Sequence, residues 1–371
     1  MTEKLPKFTS IISRHSTWMA VNSIQGCPNE CMYCFMRLDN LTHAKPQILL
    51  SALETVKMVR NSKYYTTDVP ICYFPHTDIM TTRSNREYLS ELIDNIMDTD
   101  LFNPVILVTK CFIPDETIKK LRKLQDSGRR VVVYVSYSGL DNSIENGINN
   151  KYALLNFENL KKNDIKTIHY FRPLLPQNSS EEVIKEVIRY VSRYAEASVV
   201  TGLKVYKGLE DKYTFWKEIE KIDMAYKYEC IWPKNVDRYL KKVSDLYQYP
   251  IYQSNSCALE LVLKGYDKYG IFNTCICNNF NSCPHVMRER CIAHYEKKQD
   301  IDIESQFKRL GYEMVSYEVK GDMLWVNYPT LTNDDICFLS SIIGKKVSNH
   351  NNNGDNEYWN NALNGSKQLF I

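Results

Sequence analysis

Three thiols stand within eight residues near the start of the chain, in Gly26-Cys27-Pro28-Asn29-Glu30-Cys31-Met32-Tyr33-Cys34-Phe35, spaced C-x3-C-x2-C. Three thiolates on one tight loop can ligate three irons of a cubane, whereas a ferredoxin-type arrangement supplies four cysteines. The missing fourth ligand leaves one iron open, and an open metal position can bind a small molecule and pass it an electron. Zinc sites pair their ligands as C-x2-C or C-x2-C/H and need a fourth ligand at matching spacing, which the neighbouring sequence does not offer.

A second group follows far downstream: Cys257, Cys275, Cys277, Cys283 and Cys291, spaced C-x17-C-x-C-x5-C-x7-C. Five thiols in so short a stretch point to a second metal site, either an iron–sulfur cluster or tetrahedral zinc. Iron–sulfur is favoured because the first group already requires cluster assembly. Cys72, Cys111, Cys230 and Cys337 fall in apolar or mixed surroundings and read as inert core residues.

The chain around these cysteines has the composition of a soluble globular protein: 371 residues, 44% hydrophobic, 25% charged, net charge +3. A chain of this length buries ample apolar surface without metals, so a metal here is functional or locally structural. Charge alone predicts no nucleic-acid partner. The opening MTEKLPKFTSII lacks the apolar run of a signal peptide, and no later segment has the roughly 18 consecutive apolar residues of a membrane span. The expected compartment is the cytoplasm, with no membrane partner, and there thiols stay reduced.

The elements that must position the cysteines are legible as alternation. Short β-branched or aromatic runs at 18–24, 69–74, 105–109, 131–136, 167–171 and 198–205 alternate with helical patterns at 51–61, 84–97, 115–126, 154–163 and 180–195. Such alternation predicts an α/β fold, a partial (β/α)6 barrel of TIM type with a parallel sheet. Reactive groups of such barrels gather at the carboxyl ends of the strands, and the first cysteine group directly follows the first strand. The expected divisions are a partial barrel over 1–208, a helical connector over 209–250, a cysteine-rich metal-site region over 251–299, a small α/β unit over 300–347 and an Asn-rich flexible tail over 348–371. The small unit reads as a helix through Phe307 and Leu310, a hairpin across 312–328 turning near Lys320-Gly321-Asp322, and a helix after Thr332.

The C-x3-C-x2-C spacing with an aromatic residue before the third cysteine resembles the defining motif of the radical S-adenosylmethionine (SAM) superfamily. Pro75-His76-Thr77-Asp78, Thr109-Lys110, Ser136-Tyr137-Ser138 and Arg172-Pro173-Leu174-Leu175-Pro176 follow in an order similar to the branch containing spore photoproduct lyase. The resemblance covers about residues 17–207. It implies a catalytic [4Fe–4S] cluster on Cys27, Cys31 and Cys34, with Tyr33 near the SAM adenine and Thr77 and Asp78 near its amine. It further implies ribose and carboxylate contacts from Ser136 and Ser138, a carboxylate contact from Arg172, and adenine contacts from Gly202 and Leu203. The stretch Cys257-x12-Gly270-x4-Cys275 resembles the start of the twitch or SPASM extensions of radical SAM enzymes, implying an auxiliary [4Fe–4S] cluster on the second cysteine group.

The expected activity is reductive cleavage of SAM to a 5′-deoxyadenosyl radical that abstracts hydrogen from a substrate, a nucleic-acid base or lesion being favoured over a peptide or small metabolite. A reducing partner such as flavodoxin or ferredoxin is implied. The alternative of another class is a zinc-braced module that binds nucleic acid or protein.

Overall fold

Alternate residues of the central strands meet two different apolar layers, and this two-sided burial accounts for their unbroken hydrophobic runs. The computed structural model describes residues 10–206, 219–225, 228–268, 277, 283–296, 301–321 and 323–349. The strands of its main sheet are β1 (Ile12–Arg14), β2 (Met19–Val21), β6 (Ile71–Tyr73), β7 (Val105–Thr109), β8 (Val131–Ser136), β10 (Lys166–Leu174), β11 (Ala197–Tyr206), β12 (Ile219–Ala225), β13 (Tyr228–Pro233) and β14 (Ile251–Tyr252). Four short strands lie in connections: β3 (Ile24–Gln25) pairs with β5 (Gln47–Ile48), and β4 (Glu30–Cys31) pairs with β9 (Glu145–Asn146). The sheet runs β1-β2-β6-β7-β8-β10-β11-β13-β12, with β14 also on β11, and it does not close among the described residues. From β2 to β11 every pair is parallel; β1 and the β12–β13 hairpin add antiparallel edges. This is the expected α/β, partial-barrel fold.

Helices α1 (Ala52–Arg60), α2 (Arg83–Met97), α3 (Asp115–Asp126), α4 (Asn150–Lys162) and α5 (Glu181–Val191) return the chain between strands. Their buried faces meet Met19, Val21, Tyr73, Leu107, Val133 and Phe171 on the outer side of the sheet. The inner side carries Trp18, Ala20, Cys72, Ile106, Val132, Tyr134, Ile168, Tyr170 and Val199. It is covered by α7 (Asn255–Leu263) and α8 (His285–Glu296), through Ala258, Leu259 and Met287. The cysteine-rich region therefore fills the concave side of the barrel.

Two expectations change here. The stretch 209–250 was expected to be helical, yet it contains the β12–β13 hairpin before α6 (Val236–Tyr247). The last unit consists of α9 (Ile303–Leu310), β15 (Ser316–Lys320), β16 (Met323–Asn327), α10 (Asn333–Ile343) and β17 (Lys346–Asn349). Its β17 pairs in parallel with β16, so Ser348 and Asn349, assigned to the flexible tail, are buried strand residues. The rest of that tail, 350–371, lies outside the described residues.

The last unit caps the exposed edge strand β1, where an open ladder would invite pairing with another chain. The Arg14 amide donates to Asp334 Oδ2 at 2.9 Å. Asp335, fully buried, accepts from Lys63 Nζ at 2.8 Å, Tyr64 Oη at 3.0 Å and Tyr312 Oη at 2.6 Å.

Candidate cysteine-lined site

The first cysteine loop is pinned on three sides. Gly26 takes φ +94°, a left-handed turn that suits a residue without Cβ, and its carbonyl accepts from Thr77 Oγ1 at 2.5 Å. The Cys27 amide donates to Leu41 O at 2.9 Å, and Cys27 O accepts from the Ala44 amide at 3.1 Å. Cys31 lies in β4 opposite Glu145 of β9. Cys34 caps a 3-10 turn, Phe35–Asp39, from which Arg37 Nε reaches back to Cys31 O at 2.9 Å.

Cys27, Cys31 and Cys34 together line a cavity of about 150 Å³ with Thr77 and Asp78. A wider cavity of about 480 Å³ adjoins it. The two share Tyr33, Cys34, Lys110 and Ser136 as walls. Pro75, Lys110, Ser136 and, in the wider cavity, Arg172 place them at the carboxyl ends of β6, β7, β8 and β10. Burial pushes the Cys27 and Cys31 thiols up to about 12 each, and the Asp78 carboxylate adds to the rise at Cys27. Enclosed thiols of this kind need a cation to hold them as thiolates. Among the described residues no three His, Cys, Asp or Glu side chains converge as ligands of a single ion. A cubane instead takes each thiolate on a different iron, and the three cysteines lining one small cavity fit that donor set.

Behind the loop lies a charged contact that sequence reading did not find. Lys110 Nζ stands 2.7 Å from Glu145 Oε1, and the Tyr33 hydroxyl donates to the same oxygen. The ammonium also lies 5.7 Å from the centre of the Tyr33 ring. Glu145 raises the Lys110 pKa against the opposing effect of burial. Asp78 ties two strand ends together, accepting from Thr109 Oγ1 at 2.7 Å, the Lys110 amide at 2.7 Å and the Met80 amide at 3.0 Å.

Of the other expected contacts, Ser136, Arg172, Gly202 and Leu203 line the wider cavity. Arg172 stacks 4.6 Å above the Tyr170 ring, beside a register shift in β10 that re-aims the strand. Ser138 lines neither cavity. It is fully buried, its hydroxyl accepting from the Leu140 amide at 3.2 Å and its carbonyl from Asn178 Nδ2 at 2.7 Å. His76 lines both cavities, and burial lowers its pKa to about 4. The wider cavity also takes in His15, Trp18, Tyr170, Lys204 and Asn255, none of which has a motif to mark it. Cys111, read as inert, stands beside the loop and accepts from Asn29 Nδ2 at 3.4 Å.

In the second group, Cys257 and Cys283 pack on the inner face of the sheet. Tyr252 Oη lies 3.6 Å from Cys283 Sγ, and the Asp267 amide donates to Cys291 Sγ at 3.3 Å. Burial raises the pKa of Cys257 and Cys291, and Cys277 and Cys283 are close enough to add to both shifts. Four of the five cysteines thus gather; Cys275, with Gly270 and the Cys230 side chain, lies outside the described residues.

This parallel half-barrel, with its thiol loop at the carboxyl ends of the strands, has counterparts among solved structures. The fold resembles that of spore photoproduct lyase. Spore photoproduct lyase complexed with dinucleoside spore photoproduct matches at TM-score 0.50 and 15% identity, over 68% of this chain and 80% of that one. A Cys-to-Ala mutant of spore photoproduct lyase matches at TM-score 0.50 and 13% identity, over 68% and 87%. SuiB of Streptococcus suis, bound to S-adenosylmethionine, overlaps at TM-score 0.44 and 13% identity, over 66% and 52%. No family model and no curated protein sequence matches the chain. At such identities the likeness to spore photoproduct lyase is one of fold.

Proposed function

We propose that the protein is a radical SAM enzyme that cleaves S-adenosylmethionine reductively and abstracts hydrogen from a substrate, leaving 5′-deoxyadenosine and a substrate radical. The observation that carries this reading is the pair of joined cavities, one lined by Cys27, Cys31 and Cys34, the other by Ser136, Arg172, Gly202 and Leu203. A [4Fe–4S] cluster held by the three thiolates would supply, at the iron without a protein ligand, the electron that splits SAM into methionine and a 5′-deoxyadenosyl radical. The chain's own residues bind and orient. Thr77 and Asp78 flank the cysteine end, on the side of the SAM amine. Arg172 offers a planar fork to the carboxylate, Ser136 a hydroxyl to the ribose, and Gly202 an open approach for the adenine.

A nucleic-acid base or lesion is the proposed substrate class, supported by the fold likeness to a lyase solved with a dinucleoside photoproduct. The gathered Cys257, Cys277, Cys283 and Cys291 support an auxiliary [4Fe–4S] cluster, with Cys275 as a further donor. That favours, as second reading, the modification of a peptide or small metabolite; zinc at the same cysteines would make the region a brace. Electrons would come from a flavodoxin or ferredoxin in the cytoplasm. Among the described residues no helix is long and apolar enough to cross a membrane.

The test is chemical. Anaerobically reconstituted protein with dithionite and SAM is expected to yield 5′-deoxyadenosine, detected by liquid chromatography, and Cys31→Ala is expected to yield none. Equal behaviour of the two proteins would overturn the reading. Iron quantitation should give about eight irons per chain, falling to about four when Cys27, Cys31 and Cys34 are all replaced.

A further inference from the structure

The wider cavity has one wall from outside the first six parallel strands. Strand β14 pairs in parallel with β11, Ile251 opposite Ser198 and Tyr252 opposite Val199, so the chain leaving it emerges at the carboxyl end of a further parallel strand. Asn255 stands there, on the first turn of α7, and lines the cavity. Its backbone is held from both sides. Ser254 caps the helix by accepting from the Cys257 amide, and Asn255 O accepts from Tyr134 Oη at 3.3 Å. The Tyr134 ring in turn packs edge-on against Trp18 and Tyr170, with centroids 5.5 and 4.5 Å away, and both of those rings line the cavity as well.

The Asn255 side chain is not satisfied by this setting. Its Oδ1 is enclosed and has no hydrogen-bond partner. An enclosed polar atom without a partner costs free energy that a complementary ligand returns. The terminal torsion of an asparagine is broad, so the amide can turn its acceptor or its donor toward the cavity at little cost. Such an amide matches a planar ring edge on which an N–H or amino group stands beside an acceptor, and aromatic walls suit a flat ring. The residues assigned to SAM end at Leu203, on β11; Asn255 belongs to the cover that follows them. We infer that Asn255 determines substrate specificity, its side-chain amide hydrogen-bonding the edge of the substrate's planar nitrogenous ring. The inference rests on the reading that this substrate is a nucleic-acid base.

The experiment uses full-length, anaerobically reconstituted protein at fixed salt. Fluorescence anisotropy measures binding of short single-stranded oligodeoxynucleotides of thymine, cytosine or adenine and of an abasic strand of equal length; SAM is titrated into the same preparations. At least one base strand is expected to bind the wild type about tenfold more tightly than the abasic strand, the worth of one paired base edge. Asn255→Leu, of similar size, should remove that preference while affinities for the abasic strand and for SAM stay within about twofold. Asn255→Asp, which offers acceptors only, should move the preference toward cytosine, whose amino group donates; this variant decides the matter if Asn255→Leu fails to fold. A wild type that treats base and abasic strands alike overturns the inference. So does a preference that both variants retain, or a loss of SAM affinity in Asn255→Leu equal to the loss of base affinity. If the wild type neither binds nor cleaves SAM yet its base preference depends on Asn255, the radical SAM reading has failed and the ring-edge site stands.

Discussion

Glu145 shows how one side chain can hold a site together. Its strand pairs with Cys31, its Oε1 takes both Lys110 and the Tyr33 hydroxyl, and its Oε2 is buried with no hydrogen-bond partner. Glu145→Gln leaves the Lys110 ammonium enclosed opposite a neutral amide, a change that costs about 3 kcal/mol in buried pairs. Urea denaturation of the protein before reconstitution should show a loss of that order, and the double variant Lys110→Met with Glu145→Gln should recover most of it. Lys110 was visible in sequence as a charge after a strand. Glu145 was not, because Asp141-Asn142-Ser143-Ile144-Glu145 reads as a turn and only tertiary pairing brings it beneath the thiols. Ser138 misled for a related reason: it shares the parity of Ser136, but the strand ends at Ser136, so the period of two no longer governs its direction.

At the scale of elements, α7 is the piece that closes the inner face, and its one buried acid has a measurable signature. Glu260 is 3% exposed, and burial raises its pKa from 4.5 to about 7; Asp267 and Asp68 reinforce the rise while Lys268 and Arg130 oppose it. The folded state therefore holds this proton where the unfolded chain has released it, and stability falls as pH rises from about 4.5 to about 7. The loss should amount to about 3 kcal/mol. Glu260→Gln is expected to abolish it, as thermal scans at pH 5 and pH 8 would show. Gly265 confines the same carboxyl group: a Cβ there would stand 1.8 Å from Glu260 Oε2. The six parallel strands were legible because burial on both faces leaves unbroken apolar runs. The β12–β13 hairpin was not, since Ile219 and Ile222 stand three residues apart, the spacing of a helical face, amid charged neighbours.

Over the whole molecule, the C-terminal unit is fastened chiefly through Asp335, on which Lys63 and Tyr64 of the barrel meet Tyr312 and Thr332 of the unit. Asp335→Ala removes every one of these acceptors at once. It should cost roughly 3 kcal/mol and expose the β1 edge, giving a lower thermal midpoint and faster cleavage by protease between 296 and 316. The sequence predicted this unit's elements but not its seat, because contacts between residues 14 or 63 and residues 334 or 335 leave no local pattern.

The concave side of the barrel is made of residues before 200, whereas its cover, α7 and α8, comes from 255–296. A chain emerging from the ribosome can thus pack its outer helices onto the sheet as each βα unit appears, while Trp18, Tyr134 and Tyr170 remain wet. The two faces of one sheet are completed at different times. The cysteines from Cys257 to Cys291 are synthesised with the inner cover, so the second thiol group and the finished barrel come into being in the same late step.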